Sequence, residues 1–347
     1  VLQSSYFDIT GITVRNAYAA SEGGGIKLAE ASNILVDEVE IYDTDGIDNN
    51  NVSGLHCAGC SGIEIRNSSF YDNYDRTNDD TGGLSTPNSS NMVFFRGEDI
   101  LIYNNLFYHS VPITADKSGT CLKYKHASSN PNAYFHVYNN FFENCKHGSI
   151  QTGTANTHFH HNIILNSDRV HSKDLGGPTH QTNQVFEYNT LYNSGGILVN
   201  PTITWRNADF PNDPQNIVIR NNIIFDNSPN YNQENGIINV GTYMSDELYN
   251  HIFPELQITN NCYYNPNTSV NLNIGASNGG NYGVLGNQYT LTMWQQDLGY
   301  DSGSVEVNPM LIDPDNGNFQ PITHSPCATM GALPAYSDLI FQNAFES

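Results

Sequence analysis

Apolar and polar positions along this chain follow one recurring phrase. A few alternating residues lead to an Asn, two or three apolar residues follow, and a short polar turn closes the unit. The phrase occurs nine times: VRNAYAAS from Val14, VDEVEIYDT from Val36, IRNSSFYDN from Ile65, IYNNLFYHS from Ile102, VYNNFFENC from Val137, HHNIILNSD from His160, EYNTLYNSG from Glu187, IRNNIIFDN from Ile219 and ITNNCYYNP from Ile258. The last six copies place Asn at one equivalent position: Asn105, Asn140, Asn162, Asn189, Asn222 and Asn261. Successive copies lie 22 to 39 residues apart. A kept phrase with variable connections is how a solenoid behaves, one strand-bearing coil per repeat with insertions looping from one side.

Short runs of Val, Ile, Phe and Tyr are strand chemistry. Coils stacked at the ordinary interstrand spacing of about 4.8 Å let an Asn on one coil donate its amide to the Asn of the next. Such a ladder satisfies polar groups at a turn that would otherwise be buried unpaired. The expectation is an all-β, right-handed parallel β-helix of about nine to ten coils. A β-propeller would need about four strands per 40–50-residue unit with its own signature, which is absent. One domain is expected over 1–347, with coils over about 1–266 and the last coil and cap over about 267–347. In the cap, QYTLTMWQQDLG from Gln288 has helical spacing with Thr290 as a possible N-cap, and a Pro-rich closing segment follows.

A second strand recurs in GGGIKLAEA, SGLHCAGC, NMVFFRG, GTCLKYKHA and GSIQTGT. With Ile26, Leu28, Leu55, Cys57, Val93, Phe95, Leu122, Tyr124, Ile150 and Thr152 placed inward, alternation turns their neighbours outward. Those are Lys27, His56, Phe94 with Arg96, Lys123 with Lys125, and Gln151; His171 and Lys173 follow on the next coil. Stacked in parallel, they form a cationic and hydrogen-bonding stripe, with Phe94 as a platform for a sugar ring.

Net charge is −22, yet the residues from Arg96 to His180 hold seven basic side chains against six acidic, and nine of the twelve His. An acidic protein with one basic, His-rich band focuses its field on something anionic; a solvated face with salt bridges is the plainer reading. The strongly negative net charge argues against nucleic acid as a partner. No apolar run is long enough to span a bilayer, so no membrane partner is expected. Six Cys fit an oxidising compartment. Cys57 with Cys60, Cys121 with Cys145 and Cys262 with Cys327 are possible bridges, the pairing being left open by sequence. A single CxxC makes a Cys-based zinc site the weaker reading. A start at Val1 without Met suits a processed export product, although a trimmed boundary would look the same. A secreted monomer is expected.

A third signal is acidic. DTDGIDNN carries Asp43, Asp45 and Asp48, and YDNYDRTNDDTGG one coil later carries Asp72, Asp75, Asp79 and Asp80. Ca²⁺ would join such carboxylates, and ordinary Asx-turn chemistry accounts for them equally well.

On these motifs the chain resembles the right-handed parallel β-helix polysaccharide lyases of the pectate-lyase-like superfamily. DGI at Asp45 and the run Asp72 to Asp80 look like the acidic cluster of the pectate lyases that use a Lys base. GTCLKYKH, with Lys123, looks like their Lys-bearing strand. Alginate- and chondroitin-lyase-like β-helices are similar too, with a Lys base and an Arg. The resemblance implies β-elimination on an anionic, uronic-acid-containing polysaccharide. A cation neutralises the C6 carboxylate, a base takes the C5 proton, and an acid protonates the leaving oxygen. It assigns Lys123 as base with Lys125 as rival, Arg96 as clamp, His126 as acid, and Asp45, Asp79 and Asp80 as Ca²⁺ ligands. Two alternatives stand beside it: a glycoside hydrolase using paired carboxylates, Asp79 with Asp80 or Asp75 with Asp116, and a non-catalytic carbohydrate-binding solenoid.

Overall fold

The computed structural model describes residues 2–19, 23–46, 52–73, 89–111, 119–126, 128–146, 148–173, 182–200, 215–226, 237–242, 256–276 and 287–332. Three sheets run the length of the molecule. One coil shows the order: Ser90–Phe95 lies in a ten-stranded sheet, here sheet A; Glu98–Tyr103 in the nine-stranded sheet B; Leu106–Tyr108 in the ten-stranded sheet C. Neighbouring strands are parallel except the last of sheet A, Asn287–Tyr289, which is antiparallel to Leu272–Ala276.

A two-residue corner joins sheets B and C in each coil, and a second joins sheets A and B in the coils that begin at Gly24, Ser53 and Ser90. Between sheets A and B the chain turns at Glu30, Gly59, Arg96 and His126, each with φ between 50° and 65°. Between B and C it turns at Asn104, Asn139, His161, Tyr188, Asn221 and Asn260, again left-handed. Asn tolerates this region better than most residues. That accounts for the doubled Asn of the phrase, the first making the turn and the second the ladder. Passage from C back to A varies, from Leu165 to Val170 in one coil and from Tyr71 to Ser90 in another.

The ladder is as expected. Asn140 Oδ1 accepts from the backbone N–H and the amide of Asn105, both at 3.0 Å, and Asn162, Asn189, Asn222 and Asn261 repeat the pattern coil by coil. Each amide also reaches a backbone carbonyl of the preceding coil, as Asn162 does with Val137. Ser68 starts the ladder, accepting from Val39 N–H through Oγ. Ser304 and Asp301 finish it at Asn261.

Inside the coils, alternation buries Ile63, Ile65, Ile100, Ile102, Val137 and Phe159 from sheet B and stacks Phe70, Phe107 and Phe142 in sheet C at 5.3 and 5.0 Å. Each buried Phe contributes about 2–3 kcal/mol. One strand departs from its expected register. Phe94 aligns with Cys57 and Tyr124, is fully buried and packs on Phe135, so it points into the core and is not an outward platform. Val93 and Phe95 take the outward positions. The run Met92 to Phe95 is apolar throughout, so its phase follows Ser90, aligned with Ser53 and Thr120 on the neighbouring coils.

At the C-terminal end, α1 (Leu291–Asp297) starts at Thr290, whose hydroxyl accepts from Met293 N–H. Its Leu291 and Trp294 close the core. The segment beyond does not stay at the open end. Leu311 and Phe319 lie on the outer face of sheet C against Phe141, Leu165 and Tyr192, and Cys327 bridges to Cys262. Cys57–Cys60 and Cys121–Cys145 are the other disulfides. No described helix is long and apolar enough to cross a membrane.

Candidate functional site

On the outer face of sheet A the register puts Lys27, His56, Val93, Lys123, Gln151 and His171 in one row. Parallel pairing fixes the row, because each inward residue is aligned with the inward residue of the next coil. Its centre is withdrawn from water: His56 is 1% exposed and Lys123 4%. Lys27, Gln151 and His171 are half-buried.

Beside this row runs a second, Ala29, Ala58, Phe95 and Lys125. Phe95, half-buried, stacks between His56 at 5.2 Å and His126 at 5.7 Å, and Lys125 Nζ stands 5.8 Å from its ring centre. An ammonium over an aromatic face is held by the ring quadrupole. Arg96 and His126 occupy equivalent left-handed corners on successive coils, the Arg96 N–H donating to His126 O at 3.0 Å and to Lys125 O at 3.3 Å. Arg96 is exposed. Cations, imidazoles and one aromatic ring thus meet where sheet A turns into sheet B.

Lys27, His56, Lys123, Gln151 and His171 therefore share one row, with Lys125, Arg96 and His126 adjoining it. Phe94 is removed from the stripe, and Phe95 takes its place. Lys173 belongs to strand Val170–Lys173, paired with Asn200, and its side chain lies outside the described residues. Tyr124 points inward as expected, donating to Gly97 O, and burial pushes its hydroxyl up to about 12. It is no acid for catalysis.

Asp45 lies in the short strand Asp45–Gly46 paired with Tyr18–Ala19. Asp79 and Asp80, like the alternatives Asp48, Asp75 and Asp116, fall outside the described residues. Among the described residues no three His, Cys, Asp or Glu side chains are grouped to hold a metal ion. With Asp45 the one described member of the expected Ca²⁺ set, no chemical step is routed through a metal.

The His-rich band does not converge on one surface. His136, His158 and His160 face outward from sheet B, and His161 sits at its corner. His109 is fully buried, and burial lowers its imidazole to about 4. Along sheet B one row reads Asp37, Arg66, Tyr103, Tyr138, His160, Glu187 and Arg220. Burial together with the charge repulsion of neighbouring imidazoles lowers His160 to about 3 and draws His136 down as well. Glu187 accepts from Arg220 Nε at 2.6 Å and meets His158 Nε2 at 2.8 Å; these bonds outweigh burial and hold its carboxyl below the usual range. Sequence reading missed this cluster, although Phe159 as an inward residue in THFHH turns His158 and His160 outward.

Residues 1–169 match the family described as "right handed beta helix region". No curated protein and no solved structure matches the chain. Stacked parallel sheets and this similarity agree on the architecture: the chain folds as a right-handed parallel β-helix.

Proposed function

We propose that the chain is a secreted, monomeric polysaccharide lyase that cleaves a uronic-acid-containing polymer by β-elimination on the outer face of sheet A. The observation that carries this reading is the single row of Lys27, His56, Lys123, Gln151 and His171, flanked by Lys125, Phe95, Arg96 and His126. A row of cations and hydrogen-bonding groups along the solenoid axis suits a polymer whose every anionic ring repeats the same charge. Phe95 supports a sugar face at its centre. Three disulfides accord with an oxidising compartment.

The steps balance within these residues. Lys123, as the amine, takes the C5 proton from its place at the centre of the row. The released electron pair moves onto the C6 carboxylate, where Arg96 and Lys125 stabilise the developing charge. It then forms the C4–C5 double bond and expels the glycosidic oxygen, which takes a proton from His126.

The test is a panel of anionic polysaccharides followed by the ultraviolet absorbance of the unsaturated product. Lyase action gives that signal. New reducing ends without it would indicate the hydrolase, and binding without either would indicate the adhesive solenoid. A chelator arm tests Ca²⁺ at Asp45, Asp79 and Asp80 separately: loss of signal on chelation with recovery on added Ca²⁺ supports the metal, and persistence removes it while leaving elimination in place.

A further inference from the structure

The histidines of sheet B take no part in that reaction, and their arrangement is specific. His158 and His160 are alternate residues of strand Thr157–His160, project to the same side, and hold their rings 4.1 Å apart. His136 on the preceding coil meets His158 edge-on at 5.7 Å. His161 turns back so that its Nδ1 lies 2.8 Å from Nδ1 of His160. Tyr138 and Tyr188 flank the group, stacked on His160 and His161 at 5.0 and 5.1 Å.

Hydrogen bonding limits where the ring lone pairs can lie. Arg220 keeps Glu187 a carboxylate, so Glu187 Oε1 accepts and His158 Nε2 carries the proton. A neutral His158 then has its lone pair on Nδ1. The contact between His160 and His161 needs one proton for two nitrogens, and a metal at His160 Nε2 requires His160 Nδ1 to be the donor. A carboxylate orienting a ligating His is the usual outer support of a metal site.

We propose that His158 and His160 form a two-imidazole chelate on the outer face of sheet B for a borderline divalent transition ion, Cu²⁺ or Ni²⁺. Imidazole suits these ions and carboxylate-rich sites do not, which separates this site from any Ca²⁺ site near Asp45. Since no three described side chains converge on one point, water or an anion completes the coordination. Glu187 is a positioning residue, acting on the ion through His158.

The test uses untagged protein and Cu²⁺ as the probe, with equilibrium dialysis and electron paramagnetic resonance. A single ion per chain with nitrogen superhyperfine structure is expected. The double variant His158→Asn/His160→Asn loses that signal, and exposed His324→Asn retains it. Glu187→Gln weakens Cu²⁺ binding by about tenfold. Should the double variant fail to fold, diethylpyrocarbonate labelling of the wild-type protein answers the question, with Cu²⁺ protecting His158 and His160 from modification. Absence of nitrogen-ligated Cu²⁺ in the wild type, undiminished binding in a folded double variant, or unprotected His158 and His160 would overturn the proposal.

Discussion

Replacing Asn162 with Ala cuts the ladder at its middle, and the structure gives the size of the effect. Asn162 is fully buried. Its Oδ1 accepts from Asn140 N–H at 3.0 Å and from the Asn140 amide at 3.1 Å. Its own amide donates to Val137 O, His160 O and Asn189 Oδ1. After truncation the Asn140 amide keeps Ile102 O and Tyr138 O, and Asn189 Oδ1 keeps the Asn162 backbone N–H. Asn140 N–H and Val137 O lose these side-chain partners. Each buried group so stranded costs about 1–3 kcal/mol, so the whole change costs about 3 kcal/mol after partial relaxation.

Ser68 shows what a smaller ladder member retains: its Oγ accepts Val39 N–H at 3.0 Å and returns its proton to Arg66 O. Asn162→Ser should therefore keep an acceptor for Asn140 N–H and cost about half as much as Ala. The assay is urea denaturation with disulfides intact, read with hydrogen exchange at the Asn140 amide, since a solenoid need not unfold in two states. Exchange at Asn140 should accelerate in Ala far more than in Ser. Equal, near-zero effects for both variants would refute the view that the ladder holds the sheet B–sheet C corner.

The other expectations concern the site and its acid limits. Lys123→Ala should abolish the elimination signal and Lys125→Ala should mainly weaken polymer binding; the reverse pattern exchanges base and clamp. Phe94→Ala should cost about 3–5 kcal/mol of stability as a core truncation, while Phe95→Ala should leave the melting curve almost unmoved and raise KM. His109, lowered to about 4 from an ordinary 6.5, contributes stability that is present above pH 6.5 and lost as pH falls toward 4, about 3 kcal/mol in all. Asp301, raised to about 6 by burial, acts in the opposite sense, its contribution being full below 3.8 and lost as pH rises through 6. Thermal melts across pH 4–7 should then show a shallower acid limb in His109→Gln and a steeper one in Asp301→Asn, and unchanged limbs would contradict both assignments.

The ladder, the candidate cysteine pairs, the capping helix and the sheet A row were legible in the sequence because each rests on chemistry that repeats or pairs. Asn recurs where a buried turn needs both a donor and an acceptor, and Thr290 precedes a helical pattern. Other features carry no such mark. Met92 to Phe95 is apolar at every position, so alternation alone gives it no phase. Phase comes from the polar residue that opens each strand, Ser53, Ser90 and Thr120, which pair with one another. The histidines were misassigned for a related reason. Counting charge along the chain merges residues that the turn from sheet A to sheet B sends to different faces, so Lys123 with Lys125 and His158 with His160 look like one band and form two surfaces.

These errors stay local, and that follows from the architecture. From Asn105 onward every coil is phased anew by its own ladder Asn and left-handed corner. A misread strand therefore swaps two neighbours, here Phe94 and Phe95, without shifting the strands beyond it. In a hairpin-built sheet a one-residue slip would carry into the paired strand and invert its faces. Here Lys27, His56, Lys123, Gln151 and His171 keep their common row whichever Phe faces outward. A coil-by-coil reading of outward positions is thus a sound way to find polymer-binding rows in a solenoid, provided each strand is phased from its opening polar residue rather than from its apolar run.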